Sequence, residues 1–219
     1  MTVPGIVPPC FSCATFVIKV LQKTKKKGYT MSTTEPIRTL DELYHFKNYY
    51  RQTAPNKRNY LLIILGLNTA LRISDILNLR YSHIYDFGKN CLKSHIELTE
   101  KKTGKKTLIL INSELKKALS EFCPPSTDGY LFCSNKLKGQ PLSRYQAYRI
   151  IKKAAACAGL PNHISCHSLR KTFGYHAWKQ GVPPAMLMDI YNHSSYQITR
   201  RYLGIVQDDK DNVYQKIIL

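Results

Sequence analysis

The chain has 219 residues, of which 33 are Lys or Arg and 14 are Asp or Glu, so its formal net charge is +19. This length supports one globular domain with a substantial core. No run approaches the about 18 apolar residues that a membrane-spanning helix needs, and so large a positive charge attracts a polyanion by counterion release. The composition excludes a protein anchored by such helices and favours nucleic-acid binding, without deciding between DNA and RNA.

The cysteines indicate a reducing compartment and no zinc site. They number 7 and are scattered through apolar and helical contexts, which favours buried thiols over a disulfide framework. Cys10 and Cys13 form one Cys-x-x-Cys pair with no second pair at zinc spacing. His163 and His167 stand four apart without the glutamate of a His-Glu-x-x-His metalloprotease.

Residues 1–35 are predicted to form an irregular basic extension, and residues 36–219 one compact domain. The extension is rich in proline and then carries the basic run Lys23–Lys27, an order opposite to that of a signal peptide. Such a run is typical of a solvated tail, and an arm that contacts nucleic acid is the alternative.

The first half of the domain reads as helices followed by a hairpin. Thr39 and Glu42 have the spacing of a capping box before an apolar stripe. After Pro55, the run Tyr60–Leu65 is apolar on nearly all sides and predicts a buried helix, and Leu71–Leu77 predicts a second one.

Two β-rich runs, residues 91–98 and 106–111, flank a lysine-rich turn at Gly104 and predict a β-hairpin. The rest of the chain reads as helices. They are predicted at Ser113–Phe122, Ser143–Ala158, His167–Gln180, Ala185–Tyr191, Tyr196–Leu203 and Asn212–Leu219. We therefore expect an α+β fold that is mainly α, with one small antiparallel sheet.

Arg72 and Arg170 are candidates for phosphate binding. Cleavage of a phosphodiester without a metal ion requires other positive charge at the non-bridging oxygens of the five-coordinate phosphorus. The guanidinium group is planar, permanently charged and bidentate toward phosphate. A helical arginine is more often at the surface or salt-bridged, so the assignment depends on the motifs around both residues.

Tyr202 is the candidate nucleophile. A phenolate can form a covalent link that conserves the bond energy for religation once nearby cations favour its ionised form. Tyr202 follows Arg200 and Arg201 and lies shortly after His193. Most tyrosines simply pack with the hydroxyl at the surface, and Tyr196 is the nearest competitor.

Lys102, on the predicted hairpin turn, is the candidate general acid for the leaving 5′-oxygen. His167 can take the phenolic proton, and His193 can donate a hydrogen bond to a phosphoryl oxygen. Other turn lysines compete with Lys102 for its role, namely Lys101, Lys105 and Lys106.

Five segments in order resemble motifs of the tyrosine recombinases, also called phage-type integrases. They are Asn68–Arg80 around Arg72, Lys102–Lys105, His167–Phe173 with its His-x-x-Arg box, Asn192–Ser195, and Arg201–Leu203 with the tyrosine. The resemblance spans the chain from near Leu40 to Leu203.

The resemblance implies the catalytic-domain fold of that family and cleavage of duplex DNA through a 3′-phosphotyrosyl link. It also implies a Holliday-junction intermediate, a tetramer assembled on two sites, and no cofactor or metal. In the family, the segment after the tyrosine often docks on a neighbouring protomer. Apolar residues suited to this are Val213, Tyr214, Ile217, Ile218 and Leu219, although packing against their own domain is the alternative.

In one respect the chain departs from the family pattern. Most members carry a helical core-binding domain ahead of the catalytic one, and residues 1–35 are too few to supply it. The layout resembles the short single-domain members, such as fimbrial phase-variation invertases and standalone prophage integrases. We therefore expect a cytoplasmic recombinase that can use an accessory DNA-bending or core-binding protein. The alternatives are a catalytically silent DNA-binding regulator and a type IB topoisomerase.

Overall fold

The computed structural model describes residues 34–102, 104–122, 128–134, 137, 139–161, 163–205 and 207–218. Nearly all of the expected N-terminal extension, including Cys10 and Cys13, lies outside these residues. No helix of the described part is long and apolar enough to cross a membrane.

Helices dominate the described residues. In chain order they are α1 (Leu40–Asn48), α2 (Lys57–Asn68), α3 (Ile73–Leu77), α4 (Tyr81–Ile84), α5 (Ser113–Ser120), α6 (Arg144–Cys157), α7 (Cys166–Lys179), α8 (Pro184–Ile190), α9 (Tyr196–Leu203) and α10 (Gln207–Lys216). The strands are β1 (Tyr85–Asp86), β2 (Cys91–Leu92), β3 (His95–Thr99) and β4 (Lys106–Leu110). β1 pairs with β2 and β3 with β4, both antiparallel, and a π-helical segment, Tyr49–Thr53, continues α1.

Side-chain caps fix where several helices begin. The Thr39 hydroxyl accepts the backbone N–H of Glu42 at 3.2 Å and donates to its carboxylate at 2.7 Å. The α6 cap is reciprocal, because Ser143 Oγ accepts the Gln146 N–H and the Gln146 side chain accepts the Ser143 N–H. These bonds satisfy donors that the first turn of a helix leaves without intrahelical partners.

The core is built around α2, whose run from Tyr60 to Leu65 is buried on every side. α2 packs against α1, α5 and α7. Each fully buried Leu or Ile contributes about 1.5–3 kcal/mol, so this helix is the main source of hydrophobic stabilisation.

A second, smaller apolar cluster packs α7, α8 and α9 together. Its buried members are Ala70, Leu187, Tyr191 and Leu203. Gly174 of α7 makes room for Tyr191, because a Cβ there would lie 2.0 Å from the Tyr191 hydroxyl. This packing sets the position of α9, the helix that carries Tyr202.

Two element predictions are wrong in detail. The predicted strand over residues 91–98 is broken, because Cys91 and Leu92 pair with Asp86 and Tyr85, whereas His95–Thr99 pairs with β4. The last helix is Gln207–Lys216 rather than Asn212–Leu219, since its polar first turn gives no apolar periodicity to detect. The short helix α4 was not predicted from the sequence.

Candidate active site

The predicted residues come from separate elements. Arg72 is the residue before α3, His167 and Arg170 lie in the first turns of α7, His193 follows α8, and Tyr202 is in α9. Lys102 lies in the turn between β3 and β4 and is exposed. His167, Arg170 and His193 each lie close to the Tyr202 ring, and the charge of Arg72 contributes to a lowered pKa of all three.

Tyr202 and His167 are in direct contact. The phenolic oxygen lies 2.5 Å from His167 Nε2, and the Tyr202 ring centroid lies 4.6 Å from that of His193. The Arg170 guanidinium carbon is 5.8 Å from the centre of the Tyr202 ring. The phenol therefore has an acceptor for its proton and a permanent positive charge beside it.

Arg170 is fixed by backbone oxygens, with 1% of the residue exposed. Nη2 donates to the Tyr191 carbonyl at 2.7 Å, and Nη1 donates to the Ala70 carbonyl. Ala70 has a left-handed backbone, with φ at 54°, which helps aim that carbonyl. Nε is buried and has no hydrogen-bond partner among the described residues.

Arg72 is held by a carboxylate that the sequence analysis missed. Arg72 Nη1 lies 2.5 Å from Glu100 Oε2, and the Asn192 side chain donates to Glu100 Oε1 at 2.9 Å. The Glu100 side chain is only 1% exposed. Glu100 thereby links Arg72, the β3–β4 hairpin and the residue before His193.

A signal for Glu100 exists in the sequence. Ile96, Leu98 and Glu100 share the buried face of the strand by alternation. An acidic residue in register with two core residues requires a partner in the interior, and Arg72 supplies it.

The surroundings of His167 and His193 favour neutral imidazoles. Although part of His167 is open to solvent, burial among neighbouring groups lowers its pKa, and the charges of Arg170 and Lys171 lower it further. Burial and then Arg170 lower the pKa of His193 to about 4. Near neutral pH, His167 can therefore accept a proton, and His193 can donate one hydrogen bond.

His193 is oriented by two groups outside the prediction. Its Nδ1 lies 3.0 Å from the hydroxyl of the buried Thr199, and its ring stacks on Tyr191 at a centroid distance of 5.0 Å. If the Thr199 hydroxyl donates to Nδ1, Nε2 carries the proton and is the hydrogen-bond donor of the ring. Isolated Thr and Tyr residues in a helical pattern carry no sequence signal for this role.

The hairpin turn is tied to α3. Asp75 accepts the backbone N–H of Lys101 at 3.0 Å, while the Lys101 and Lys102 side chains are exposed. Lys102 has no hydrogen bond or ion pair within the described residues. The competing lysines Lys105 and Lys106 are exposed too, so the choice of Lys102 stays a prediction.

The competitor Tyr196 opens α9 and is 49% exposed. Its ring makes no described contact with the histidines, whereas Tyr202 contacts both. The described residues contain no group of three His, Cys, Asp or Glu placed to hold a metal ion.

α6 presents a basic face beside this site. Arg144, Arg149 and Lys153 are exposed, and the charge of Arg144 contributes to the lowered pKa of His167. The Gln146 oxygen is committed to the helix cap. This helix is therefore a candidate for contact with the phosphates or grooves of a nucleic acid.

Comparison with known proteins gives a consistent picture. The phage integrase family matches residues 38–207. The probable integrase/recombinase YoeC of Bacillus subtilis (strain 168) is 43% identical over 186 residues, 84% of this chain and 97% of YoeC. The type 1 fimbriae regulatory protein FimE of Escherichia coli (strain K12) is 30% identical over 157 residues, 68% of this chain and 75% of FimE.

Solved structures share the fold. XerA recombinase superposes with a TM-score of 0.67 at 21% identity, over 84% of this chain and 65% of its own. XerH recombinase bound to its difH substrate in a pre-cleavage complex gives 0.62 at 20% identity, over 88% of this chain and 58% of XerH. The chain thus spans less than two thirds of either structure, and the expected mainly α fold with its small antiparallel sheet is confirmed.

Proposed function

Because the chain belongs to the phage integrase family of tyrosine recombinases, we propose that it cuts and rejoins duplex DNA with an active site of Arg72, Lys102, His167, Arg170, His193 and Tyr202. The protein is a site-specific recombinase. The single observation that carries the residue assignment is the 2.5 Å contact between the Tyr202 phenol and His167, beside the buried Arg170.

In the proposed reaction, Tyr202 gives its proton to His167 Nε2 and its oxygen attacks the scissile phosphorus. The bond to the 5′-oxygen breaks, and a 3′-phosphotyrosyl link forms. Lys102 gives a proton to the leaving 5′-oxygen. Strand rejoining reverses these steps with the 5′-hydroxyl of another strand.

Arg72 and Arg170 stabilise the charge on the non-bridging oxygens in the transition state. His193 adds a hydrogen bond from the ring edge that Thr199 leaves free. The guanidinium groups have the role that a metal ion has in other phosphoryl-transfer enzymes.

Duplex DNA is the proposed partner in a cytoplasmic, nucleoid-associated setting. The net charge of +19 supports binding through phosphate contacts. Solved neighbours of the same fold include lambda integrase as a dimer bound to a core site. An accessory DNA-bending or core-binding protein is a further proposed partner in recognition.

Self-association into a tetramer on DNA is proposed to use apolar residues at the end of α10 and just after it. Val213 and Tyr214 lie in the last turn of that helix, and Ile217 and Ile218 follow its last residue; the Ile217 N–H donates to the Val213 carbonyl at 3.2 Å. The exposed fractions of these four residues are 51% for Val213, 79% for Tyr214, 60% for Ile217 and 90% for Ile218. Such a patch favours contact with a second copy over packing within the same domain.

Two alternatives predict different behaviour. A silent regulator would bind DNA without forming a covalent product, and a type IB topoisomerase would relax supercoiled plasmid that lacks a specific site. The contact between Tyr202 and His167 favours an active enzyme, because a regulator has no need for it.

The test uses a nicked suicide DNA that carries candidate sites and traps the covalent intermediate. Wild type should give a shifted band on a denaturing gel. Tyr202→Phe should give none while DNA retention stays near wild type, because the phenolic oxygen acts in chemistry more than in binding. Tyr196→Phe is the matched control and should form the band, so loss there with retention in Tyr202→Phe would overturn the assignment.

A further inference from the structure

Residues Thr34–Arg38, here called the strap, cross α7 and are bonded to it along their length. Lys171 Nζ donates to the Thr34 carbonyl at 2.5 Å, and the Ile37 N–H donates to Thr172 Oγ1 at 2.9 Å. Ile37 is 1% exposed. The strap is therefore an integral layer of the domain on the helix that carries His167 and Arg170.

The strap ends at the C-terminus of the proposed nucleophile helix. Arg38 Nη2 donates to the Gly204 carbonyl at 2.9 Å, and the Arg38 guanidinium lies 5.1 Å from the centre of the Tyr175 ring. Gly204 is the left-handed residue that terminates α9, with φ at 60°. A Cβ on Gly204 would lie 3.1 Å from Pro36 and 3.3 Å from Arg38, so strap and helix end are in close contact.

This contact has a physical reason to matter. α9 has 8 residues, and so short a helix is marginal unless its ends and faces are held by other groups. The carbonyls of a helix C-terminus lack intrahelical donors and carry partial negative charge, so a fixed cation stabilises them. Gly204 lies only two residues beyond Tyr202, which makes the position of the phenol sensitive to this end.

A second strap contact adjoins the same tyrosine. The Lys171 ammonium, bonded to Thr34, lies 5.9 Å from the centre of the Tyr202 ring. Burial lowers the pKa of Lys171; the charge of Glu35 opposes this shift, and the charge of Arg38 adds to it. Arg38 of the strap therefore contacts the C-terminal end of α9, and Lys171 of α7, which is bonded to the strap, lies near the Tyr202 ring.

We propose that Arg38 is a positioning residue for Tyr202, acting through the Gly204 carbonyl. The proposal rests on the assignment of Tyr202 in the proposed function. Family similarity begins at residue 38, so Thr34–Ile37 lie ahead of the matched region.

The test compares Arg38→Ala and Arg38→Lys with Arg51→Ala. Arg51 is a matched surface control, since its guanidinium also lies over a tyrosine, Tyr60, at 5.6 Å. The single-turnover rate of covalent-complex formation on the suicide DNA is measured together with the DNA dissociation constant and the melting temperature. Arg38→Ala should lower the rate about 10- to 100-fold, because misplacement of a reacting group by about 1 Å has effects of this size.

The expected pattern is a lower rate in Arg38→Ala with an unchanged dissociation constant, substantial recovery in Arg38→Lys, and no effect of Arg51→Ala. Equal rates for Arg38→Ala and wild type would overturn the proposal while leaving the proposed function intact. So would parallel loss of rate, affinity and melting temperature that lysine does not restore, since that marks general destabilisation. Absence of covalent product in wild type would instead overturn the proposed function and this inference with it.

Discussion

Replacement of Glu100 by glutamine tests whether the buried carboxylate organises the proposed active site. One carboxylate oxygen accepts from Arg72 at 2.5 Å, and the other accepts from Asn192 at 2.9 Å. Glutamine has the same shape but only one acceptor oxygen, and its other terminal group is a donor. In Glu100→Gln, either Arg72 or Asn192 therefore faces another donor, and Arg72 loses its counter-charge.

The magnitude follows from burial. The side chains of Arg72 and Glu100 are 16% and 1% exposed, so solvent screens the pair weakly. A hydrogen bond to a charged group contributes about 1.5–3 kcal/mol, and removal of one partner of a buried pair costs about 3–5 kcal/mol. Because Arg72 retains some solvent contact, we expect a loss of about 2–3 kcal/mol, which lowers Tm by roughly 4–12 °C.

The assay combines thermal unfolding with single-turnover cleavage of the suicide DNA. Loss of a fixed orientation for Arg72 should also reduce the cleavage rate by about 100-fold. Glu114→Gln is the matched control, because Glu114 pairs with Lys47 at 2.8 Å with 40% and 29% of their side chains exposed. That exposed pair should contribute about 0–1 kcal/mol and leave cleavage unchanged.

The reasoning would be refuted by a Glu100→Gln protein that melts and cleaves like wild type. It would also be refuted if Glu114→Gln had as large an effect, because burial would then not explain the loss. A lower melting temperature with unaltered cleavage would assign Glu100 to stability alone.

Two further predictions concern pH and assembly. The pKa values of His167 and His193 are lowered, to about 4 for His193. The cleavage rate should therefore begin to fall only when the pH drops below about 6.5. A rate that already falls above about pH 6.5 would contradict the role of His167. Because the unfolded state takes up these protons first, Tm should fall as pH decreases from about 6.5 toward 4. Ile217→Asp should weaken assembly on two-site DNA at least about tenfold, whereas cleavage of single-site DNA should persist. Assembly is measured as the size of the complex in sedimentation. The matched control is Gln215→Asp, which changes an exposed polar residue and should assemble normally.

Much of the fold was accessible from local sequence signals. Thr39 and Ser143 mark the starts of two helices, because capping depends only on residues within one turn. The run Tyr60–Leu65 identifies the central helix, because a helix that is buried on every side must be apolar on every side. The lysine-rich turn at Gly104 predicts a hairpin for the same local reason. Recognition of the family from its ordered motifs is confirmed by the relatives.

The network around the site was not accessible in the same way. Glu100 meets Arg72 across 28 positions of the chain and Asn192 across 92, and such partners are set by tertiary packing. The carbonyls that hold Arg170 belong to the backbone, where residue type carries little information. The roles of the six site residues stay predictions, to be decided by the cleavage experiments.

The left-handed backbone of Ala70 constrains how this position can vary in evolution. An L-residue in that conformation is strained by about 1–2 kcal/mol, and Ala70 is also 1% exposed within the cluster beneath α8 and α9. β-branched and bulky residues are thus disfavoured at position 70 for two reasons: the positive φ strains them, and the buried site has no space for their side chains. A restricted choice of small residues here would reflect the direction of one carbonyl, so low variability at position 70 would be a signature of backbone geometry rather than of side-chain chemistry.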